Sequence, residues 1–276
     1  MKVIRADVLG VCHGVRRALA IVEETLAAHP GEPIHTLGPL IHNPRTVEDL
    51  RRRGVVPADG LREIRDGIVV IRAHGVGPET LREIAARGLR LVDATCPHVR
   101  RVQQIVAEGA ARGCLTVIAG DAEHGEVKGI RAYAGRSVVV ASVGEARAAA
   151  LSAPALVVSQ TTFRSSDYGE IAAVLRDRDP AIEVFDTSCA LTETRQESLR
   201  RLASRVDALL VIGGKGSANT RWLHQTALQT GRPAWHVEGA EDIPVEAFRF
   251  STVGISAGAS TPDAVIDEVE NALAAR

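Results

Sequence analysis

The chain has 276 residues, of which 45% are hydrophobic and 24% are charged, and its formal net charge is -1 at pH 7. This composition is typical of a folded globular protein and excludes a disordered one. Because the charges nearly balance, we expect no nucleic-acid partner and no attachment to a membrane, and a small molecule is the expected ligand. No apolar run reaches the roughly 18 residues of a membrane span, and the N-terminus is typical of a strand rather than a secretory signal, so the predicted location is cytoplasmic.

The first predicted element is a strand at the N-terminus that leads to Cys12, and the same arrangement returns twice along the chain. Cys96 and Cys189 also follow strand-like runs and precede helix-like ones. The intervals are about 90 residues, the size of a small domain. The last two cysteines share a D-x-[ST]-C pattern that begins at Asp93 and Asp186. These regularities indicate an internal threefold repeat.

The alternation of short strands with longer helical segments predicts parallel βαβ units. The predicted fold is therefore α/β, with three pseudo-threefold-related α/β domains whose mostly parallel sheets surround a central cavity. We place an N-terminal strand that carries the first cysteine at 1–13, and the three domains at 14–96, 97–188 and 189–276. The protein is expected to be a monomer.

Polar side chains recur in register with the cysteines. In each third an apolar strand ends at a glycine, and four residues later stands a polar side chain: His42, His124 or Ser217. The next strand in each third is followed by a second polar side chain: His74, Thr161 or Ser260. Ligands of parallel sheets bind beyond the carboxyl ends of the strands. These groups, with the neighbouring Asn219, are therefore expected to face one cavity and to donate hydrogen bonds to an anion such as phosphate.

The position of each repeated cysteine before a helix indicates a metal-binding thiolate, because the positive end of the helix dipole favours the ionised thiol. Zinc sites usually contain close Cys-x₂-Cys pairs, which this chain lacks, whereas iron–sulfur clusters take separate thiolates, ordinarily four of them. Cys114 lies outside the repeat and is expected in the core. The remaining three thiolates predict a cluster with one open iron, which is a catalytic site.

Glu126 follows His124 by two residues and is interpreted as a general acid near the cavity. The alternative is a solvated loop glutamate that pairs with Lys128. The proximity of His124 favours the functional interpretation.

A family resemblance covers the whole chain. The motifs that carry it are, in chain order, GVCHGVRRAL, GPLIHNP, AHGV, DATCP, HGEVKG, QTT, CALTETRQE, GSAN and SAGAST. They resemble those of the 4-hydroxy-3-methylbut-2-enyl diphosphate reductases, which catalyse the last step of the methylerythritol phosphate (non-mevalonate) isoprenoid pathway. The resemblance implies one 4Fe-4S cluster held by Cys12, Cys96 and Cys189, with an open iron that binds the allylic hydroxyl of the substrate. It also implies a ferredoxin or flavodoxin as the donor of two electrons, and isopentenyl and dimethylallyl diphosphate as products.

The same resemblance implies roles for individual residues. Glu126 is implied as the proton relay, Thr161 as its hydroxyl partner, and His124 as a third catalytic residue. The implied substrate-binding residues are His42, His74, His124, Thr161, Ser217, Ala218, Asn219 and Ser260. Two positions depart from the family pattern: Gly125 stands where proline is usual, and Ala218 where a second serine hydroxyl is usual.

Three alternatives remain open from the sequence. The chain could be a cluster-bearing paralogue that acts on another small anion, or an enzyme similar to quinolinate synthase, which also combines three domains with three cysteines. It could also be a non-enzymatic module in which three cysteines hold zinc or a cluster for metal or redox sensing. Metal analysis separates the zinc alternative from the cluster, and a substrate panel separates the enzymes.

Overall fold

A computed structural model describes residues 1–41 and 43–275. The chain forms two compact units. The first unit comprises Met1–Arg16, Ile41–Arg53 and Ala190–Arg276, and the second comprises Arg17–Leu40 and Gly54–Cys189. The division into domains at 14–96, 97–188 and 189–276 stays a prediction.

The secondary structure alternates between strands and helices along the chain. The strands are β1 Lys2–Arg5, β2 Ile34–Leu37, β3 Val55–Ala58, β4 Ile68–Ile71, β5 Arg90–Asp93, β6 Leu115–Ala119, β7 Arg136–Val140, β8 Ala155–Ser159, β9 Glu183–Val184, β10 Ala208–Ile212, β11 Ala234–Val237 and β12 Thr252–Ala257. The helices are α1 His13–Ala28, α2 Pro44–Arg52, α3 Pro78–Ala86, α4 Pro97–Ala111, α5 Gly125–Arg131, α6 Val143–Ala148, α7 Ser165–Arg178, α8 Ala190–Ala203, α9 Ala218–Gln229 and α10 Asp263–Ala274.

Within the described residues, the strands form three four-stranded sheets whose strand order is equivalent in each case. The second unit contains the sheets β3-β2-β4-β5 and β7-β6-β8-β9, and the first unit contains β11-β10-β12-β1. In the described part of the chain, every pair of neighbouring strands is parallel. The strand that leads towards a repeated cysteine is β5, β9 or β1, and it lies at the equivalent edge of its sheet. In the first unit this edge strand is β1, the N-terminal strand of the chain. The predicted threefold α/β architecture with parallel sheets is confirmed.

The core of the first unit shows why these sequences form two-sided sheets. Along β10, Leu210 and Ile212 pack with α10, whereas the alternate residues Leu209 and Val211 pack with α8 and α9. Successive side chains of a strand point to opposite faces, so a strand covered by helices on both sides must be apolar throughout. All five residues of β10 are buried.

The strands are shorter than the apolar runs of the sequence predict. β1 ends at Arg5, β5 at Asp93 and β9 at Val184, and a short loop then leads from each strand to its cysteine. Among the described residues, no helix is long and apolar enough to cross a membrane.

Gly67, which immediately precedes β4, is predicted to be intolerant of any side chain. Its φ is +90°, and an added Cβ would lie 2.3 Å from the carbonyl oxygen of Pro33. Gly67→Ala should lower the free energy of unfolding by about 2 kcal/mol or more, because left-handed backbone strain adds to the clash with main chain. Gly135→Ala is the matched control, since no atom lies within 4 Å of its added Cβ. Denaturant unfolding of both variants checks this, and equal stabilities would contradict it.

Candidate functional site

The three repeated cysteines are anchored by the same backbone contact. Each cysteine N–H donates to the carbonyl of the residue two positions beyond the end of a neighbouring strand. The acceptors are Ala259 for Cys12 (3.0 Å), Ala73 for Cys96 (3.0 Å) and Thr161 for Cys189 (2.8 Å), and these residues follow β12, β4 and β8. Each cysteine directly precedes a helix, α1, α4 or α8. The equivalence inferred from spacing therefore holds at the level of individual hydrogen bonds.

The D-x-[ST]-C pattern has a structural cause. The carboxylate of Asp93 accepts a hydrogen bond from the N–H of Thr95 at 2.9 Å, and that of Asp186 accepts from the N–H of Ser188 at 3.1 Å. Such turns, in which an aspartate accepts from the N–H two residues on, fix the direction of the chain. Burial would raise the pKa of Asp93, but hydrogen bonds from Thr95 and Arg100 outweigh burial and hold the pKa below its ordinary value. Both aspartates thus aim the cysteine that follows.

The four thiols differ in how far they are buried. Cys12, Cys96 and Cys189 are half-buried, whereas Cys114 is buried among Val106, Ile118 and other apolar side chains of the second unit. Among the described residues, no group of three or more His, Cys, Asp or Glu side chains is placed to hold a single metal ion. Separate thiolates at separate corners suit a cluster, whose irons each take their own ligand. The donor set therefore fits the implied group.

Two of the predicted polar positions, His124 and Ser217, immediately precede helices. Gly38, Gly120 and Gly213 come directly after β2, β6 and β10, as the repeat predicts. In the second unit, His124 caps α5 by accepting a hydrogen bond from the N–H of Glu126 at 3.2 Å. In the first unit, Ser217 caps α9 by accepting a hydrogen bond from the N–H of Thr220 at 3.3 Å. His42 lies outside the described residues.

Glu126 and Thr161 form the most specific contact of the second unit. The N–H of Thr161 donates to Oε1 of Glu126 at 2.5 Å, and its hydroxyl donates to Oε2 at 2.9 Å. The Glu126 side chain is only 2% exposed. Burial raises the pKa of Glu126 to about 7, against the opposing effect of the two hydrogen bonds from Thr161. A carboxylic acid with this pKa can both hold and release a proton near neutral pH, as a general acid must.

His74 and His124 lie beside α5, the helix that carries Glu126. The rings of His74 and His124 meet edge to face with centroids 5.0 Å apart. His74 follows β4 through a short loop, and His124 immediately precedes α5. The side-chain space that Gly125 leaves open is filled by Arg72, whose Nη2 lies 2.6 Å from the position of an added Cβ. The departure from proline at position 125 thus makes room for a guanidinium.

The first unit contributes a second polar cluster. Ser217, Asn219 and Ser260 are each less than 9% exposed. Their loops adjoin, because the N–H of Gly258 donates to the carbonyl of Ile212 at 2.8 Å, immediately before the α9 loop. Asn219 Nδ2 and Ser260 Oγ are buried without a hydrogen-bond partner among the described residues. Buried donors are ordinarily satisfied, so these two point to a polar ligand.

The raised pKa of Glu126 predicts a pH-dependent contribution to stability. Between about pH 4.5 and 7 the folded protein holds this proton while the unfolded chain releases it, so stability falls as pH rises through that window. Relative to Glu126→Gln, which has no proton to lose, the wild type should lose up to about 3 kcal/mol of unfolding free energy across it. Urea unfolding of both proteins at pH 5 and pH 8, under anaerobic conditions, measures the difference. A difference that does not change with pH would contradict the assignment.

Sequence reasoning missed two features of these sites. The D-x-[ST]-C pattern was found in the sequence, but the turn that Asp93 and Asp186 each form before the cysteine was not predicted from it. Arg72 gave no signal, because an arginine at the end of an apolar strand resembles any solvated strand terminus.

The fold and the site together define the class of protein, an α/β enzyme with three equivalent parallel sheets, thiols at strand-to-helix corners and a buried carboxylic acid. A family model described as "LytB protein" matches residues 3–274. The chain belongs to the LytB protein family. The predicted family, fold and enzyme class are thereby confirmed.

Named relatives and solved structures agree with this membership. The chain is 43% identical over 289 residues to a protein of Treponema denticola named 4-hydroxy-3-methylbut-2-enyl diphosphate reductase, with 99% of each chain covered. It is 38% identical to the Aquifex aeolicus protein of the same name, covering 98% of this chain and 95% of the other. A solved reductase entitled the terminal enzyme of the non-mevalonate pathway matches with a TM-score of 0.74 and 37% identity over the whole of both chains. The Plasmodium falciparum reductase structure matches with a TM-score of 0.89 and 27% identity, covering 98% of this chain and 87% of that one.

Proposed function

We propose that this protein reduces 4-hydroxy-3-methylbut-2-enyl diphosphate to isopentenyl and dimethylallyl diphosphate. The overall reaction consumes two electrons and two protons and releases the allylic hydroxyl as water. The observation that carries the proposal is the repeated anchoring of three cysteines at equivalent strand-to-helix corners. The buried carboxylic acid of Glu126 in the second unit supports it. Family membership supports it, because the named relatives share that activity.

The cofactor proposed is one 4Fe-4S cluster with Cys12, Cys96 and Cys189 as its three protein ligands. The LytB family is one of iron–sulfur enzymes, which supports a cluster rather than zinc. When bound, the cluster would supply electrons and a Lewis-acidic iron that lacks a protein ligand. The backbone contacts of the three cysteines hold each thiol at its corner, so that binding requires little reordering of the chain.

The diphosphate is proposed to bind to hydrogen-bond donors at strand ends and helix starts. In the first unit these are the hydroxyls of Ser217 and Ser260 and the amide of Asn219, two of which have no other partner among the described residues. In the second unit they are His74 and His124, and His42, which lies outside the described residues, belongs to the same proposed set. Thr161 is also proposed to contact the substrate, with its hydroxyl proton donated to Glu126. Ala218 offers only its backbone N–H, which lies in the first turn of α9.

Proton delivery is proposed to run through Glu126. Thr161 fixes both carboxyl oxygens, so that the acidic proton is presented on a lone pair that Thr161 does not use. The pKa of about 7 allows the protonated form to be present at neutral pH, despite the acidity of ordinary glutamates. Delivery of that proton to either end of the reduced allylic group gives the two products. His124 holds the first turn of α5 in place through its cap.

The electron donor proposed is a ferredoxin or flavodoxin, and the protein is proposed to work as a monomer in the cytoplasm. The binding and protonation of the substrate proposed above do not depend on the identity of the donor, the oligomeric state or the compartment.

The proposal is tested by an anaerobic assay of the cluster-loaded protein with a chemically reduced donor and the hydroxylated C5 diphosphate. We expect both isopentenyl and dimethylallyl diphosphate to form, with about one product molecule for every two electrons consumed, as the stoichiometry of the reduction requires. A panel of other small allylic and carboxylic anions serves as the specificity control. An intact cluster without turnover of the C5 diphosphate, or turnover of another anion instead, would contradict the proposal.

A further inference from the structure

Arg72 lies in a slot that two glycines of the second unit create. It is the first residue after β4, and its guanidinium extends between the end of β2 and the start of α5. Nη1 lies 2.9 Å from the position that a Cβ of Gly38 would occupy, and Nη2 lies 2.6 Å from that of Gly125. A side chain at either glycine would displace the guanidinium, so this slot depends on both.

The guanidinium is poorly satisfied by the protein itself. Among the described residues, its hydrogen bonding is limited to one contact with the carbonyl oxygen of Pro39 at 3.5 Å. Other arginines pair with carboxylates: Arg100 with Asp93, for example, and Arg112 with Glu183 at 2.6 Å. For Arg72 no such pair is formed within the described chain, and burial alone lowers its pKa. A partly buried cation without a counter-ion is costly, which indicates that an anion completes the site.

The slot opens into a cavity of about 590 Å³ within the second unit, a size that accommodates a small organic ligand. Lys128 also lines it, but its ammonium is engaged with Glu123 at 2.8 Å. Asp59, Glu79 and Glu83 also line the cavity. Of the two basic residues that line it within the described part of the chain, Arg72 is the one without a carboxylate partner.

The neighbours of Arg72 identify the kind of anion. The same Gly125 position that lies against Nη2 is 3.9 Å from Nδ1 of His74, and His74 in turn packs against His124. Guanidinium and imidazole groups that flank one point suit a tetrahedral oxyanion, and the planar fork of arginine binds two phosphate oxygens at once.

We propose that Arg72 binds a phosphoryl oxyanion in the slot between Gly38 and Gly125, next to His74. The inference rests on the proposed function to the extent that the anion is the diphosphate of the substrate. A free phosphate or pyrophosphate in the cavity has the same chemistry, and the experiment separates the two sources.

The test is calorimetric titration of the anaerobic, cluster-loaded protein with inorganic pyrophosphate. Arg72→Met should weaken binding about 10- to 100-fold, as expected for loss of charge-assisted hydrogen bonds. Arg72→Lys, which keeps the charge but not the fork, should weaken it less and provides a second variant if the first fails to fold. Arg112→Met is the matched control, since it also removes one arginine from the second unit, and it should bind pyrophosphate as the wild type does.

Two further readouts separate the outcomes. If the anion is the substrate's diphosphate, pyrophosphate competes with substrate, and Arg72→Met raises KM while kcat changes little. If the cavity binds its own phosphate, pyrophosphate and substrate bind together, and only pyrophosphate binding depends on Arg72. Arg72-dependent binding without any turnover would retain this site while rejecting the proposed function. Unchanged pyrophosphate affinity in both Arg72 variants would overturn the inference, and a lowered Tm with that unchanged affinity would assign Arg72 a purely structural role.

Discussion

Replacing Glu126 with glutamine is expected to lower kcat by about 10²- to 10⁴-fold, the range typical of losing a positioned general acid. Glutamine has nearly the same shape and is neutral, as the protonated glutamic acid is. The Thr161 hydroxyl can rotate to accept a hydrogen bond from the new amide. The fold and the cluster should therefore persist, and the loss should appear in proton delivery.

The measurement is steady-state reduction of the C5 diphosphate, with iron content and visible absorption recorded on the same sample. Glu123→Gln is the control, because Glu123 is exposed and its ion pair within the described residues is with Lys128. It should retain wild-type activity. If Glu126→Gln keeps both its cluster and its kcat, the assignment of Glu126 as the proton relay is wrong.

The second large effect concerns the cysteines. Serine substitution of Cys12, Cys96 or Cys189 should remove stable iron binding and reduce activity to below detection, because each residue is proposed to hold a different iron of the same cluster. Iron and sulfide analysis after anaerobic reconstitution should give about four of each per chain for the wild type and much less for each variant.

Cys114→Ala is the internal control for this series. Cys114 is buried between the helices α4 and α5 and the sheet β7-β6-β8-β9, and it lies outside the repeat. Its replacement should cost some stability through a small cavity but leave iron and sulfide at wild-type values. Iron loss in this variant, or full iron retention in any of the other three, would disprove the proposed ligand set.

The threefold architecture could be predicted because the chemistry repeats along the chain. Glycines directly after β2, β6 and β10, and cysteines directly before α1, α4 and α8, occupy equivalent places in the three sheets, so the repeat is visible in the sequence itself. Strand length could not be predicted in the same way. The run between Arg5 and Cys12 is apolar apart from Asp7, but it forms a loop, because a partly buried loop and a partly buried strand can leave the same sequence pattern.

The same distinction applies to the candidate site, where some residues could be predicted from the sequence and others could not. Residues that recur in register, such as His124 and Ser217, could be found from the sequence because their equivalents mark one another. The pKa of Glu126 could not, because it depends on burial and on the two hydrogen bonds from Thr161, 35 residues away. Arg72 was also invisible, since its significance lies in the absence of side chains at Gly38 and Gly125. Long-range packing of this kind leaves no local signature.

The central claim is that three cysteines hold a cluster with one iron open to substrate, and Mössbauer spectroscopy of ⁵⁷Fe-reconstituted protein tests it most directly. Spectra of the anaerobic protein are recorded with and without the hydroxylated C5 diphosphate. We predict that one iron in about four changes its spectrum on addition of substrate while the rest do not. Four irons that respond identically, or a protein that binds stoichiometric zinc in place of iron, would contradict the account.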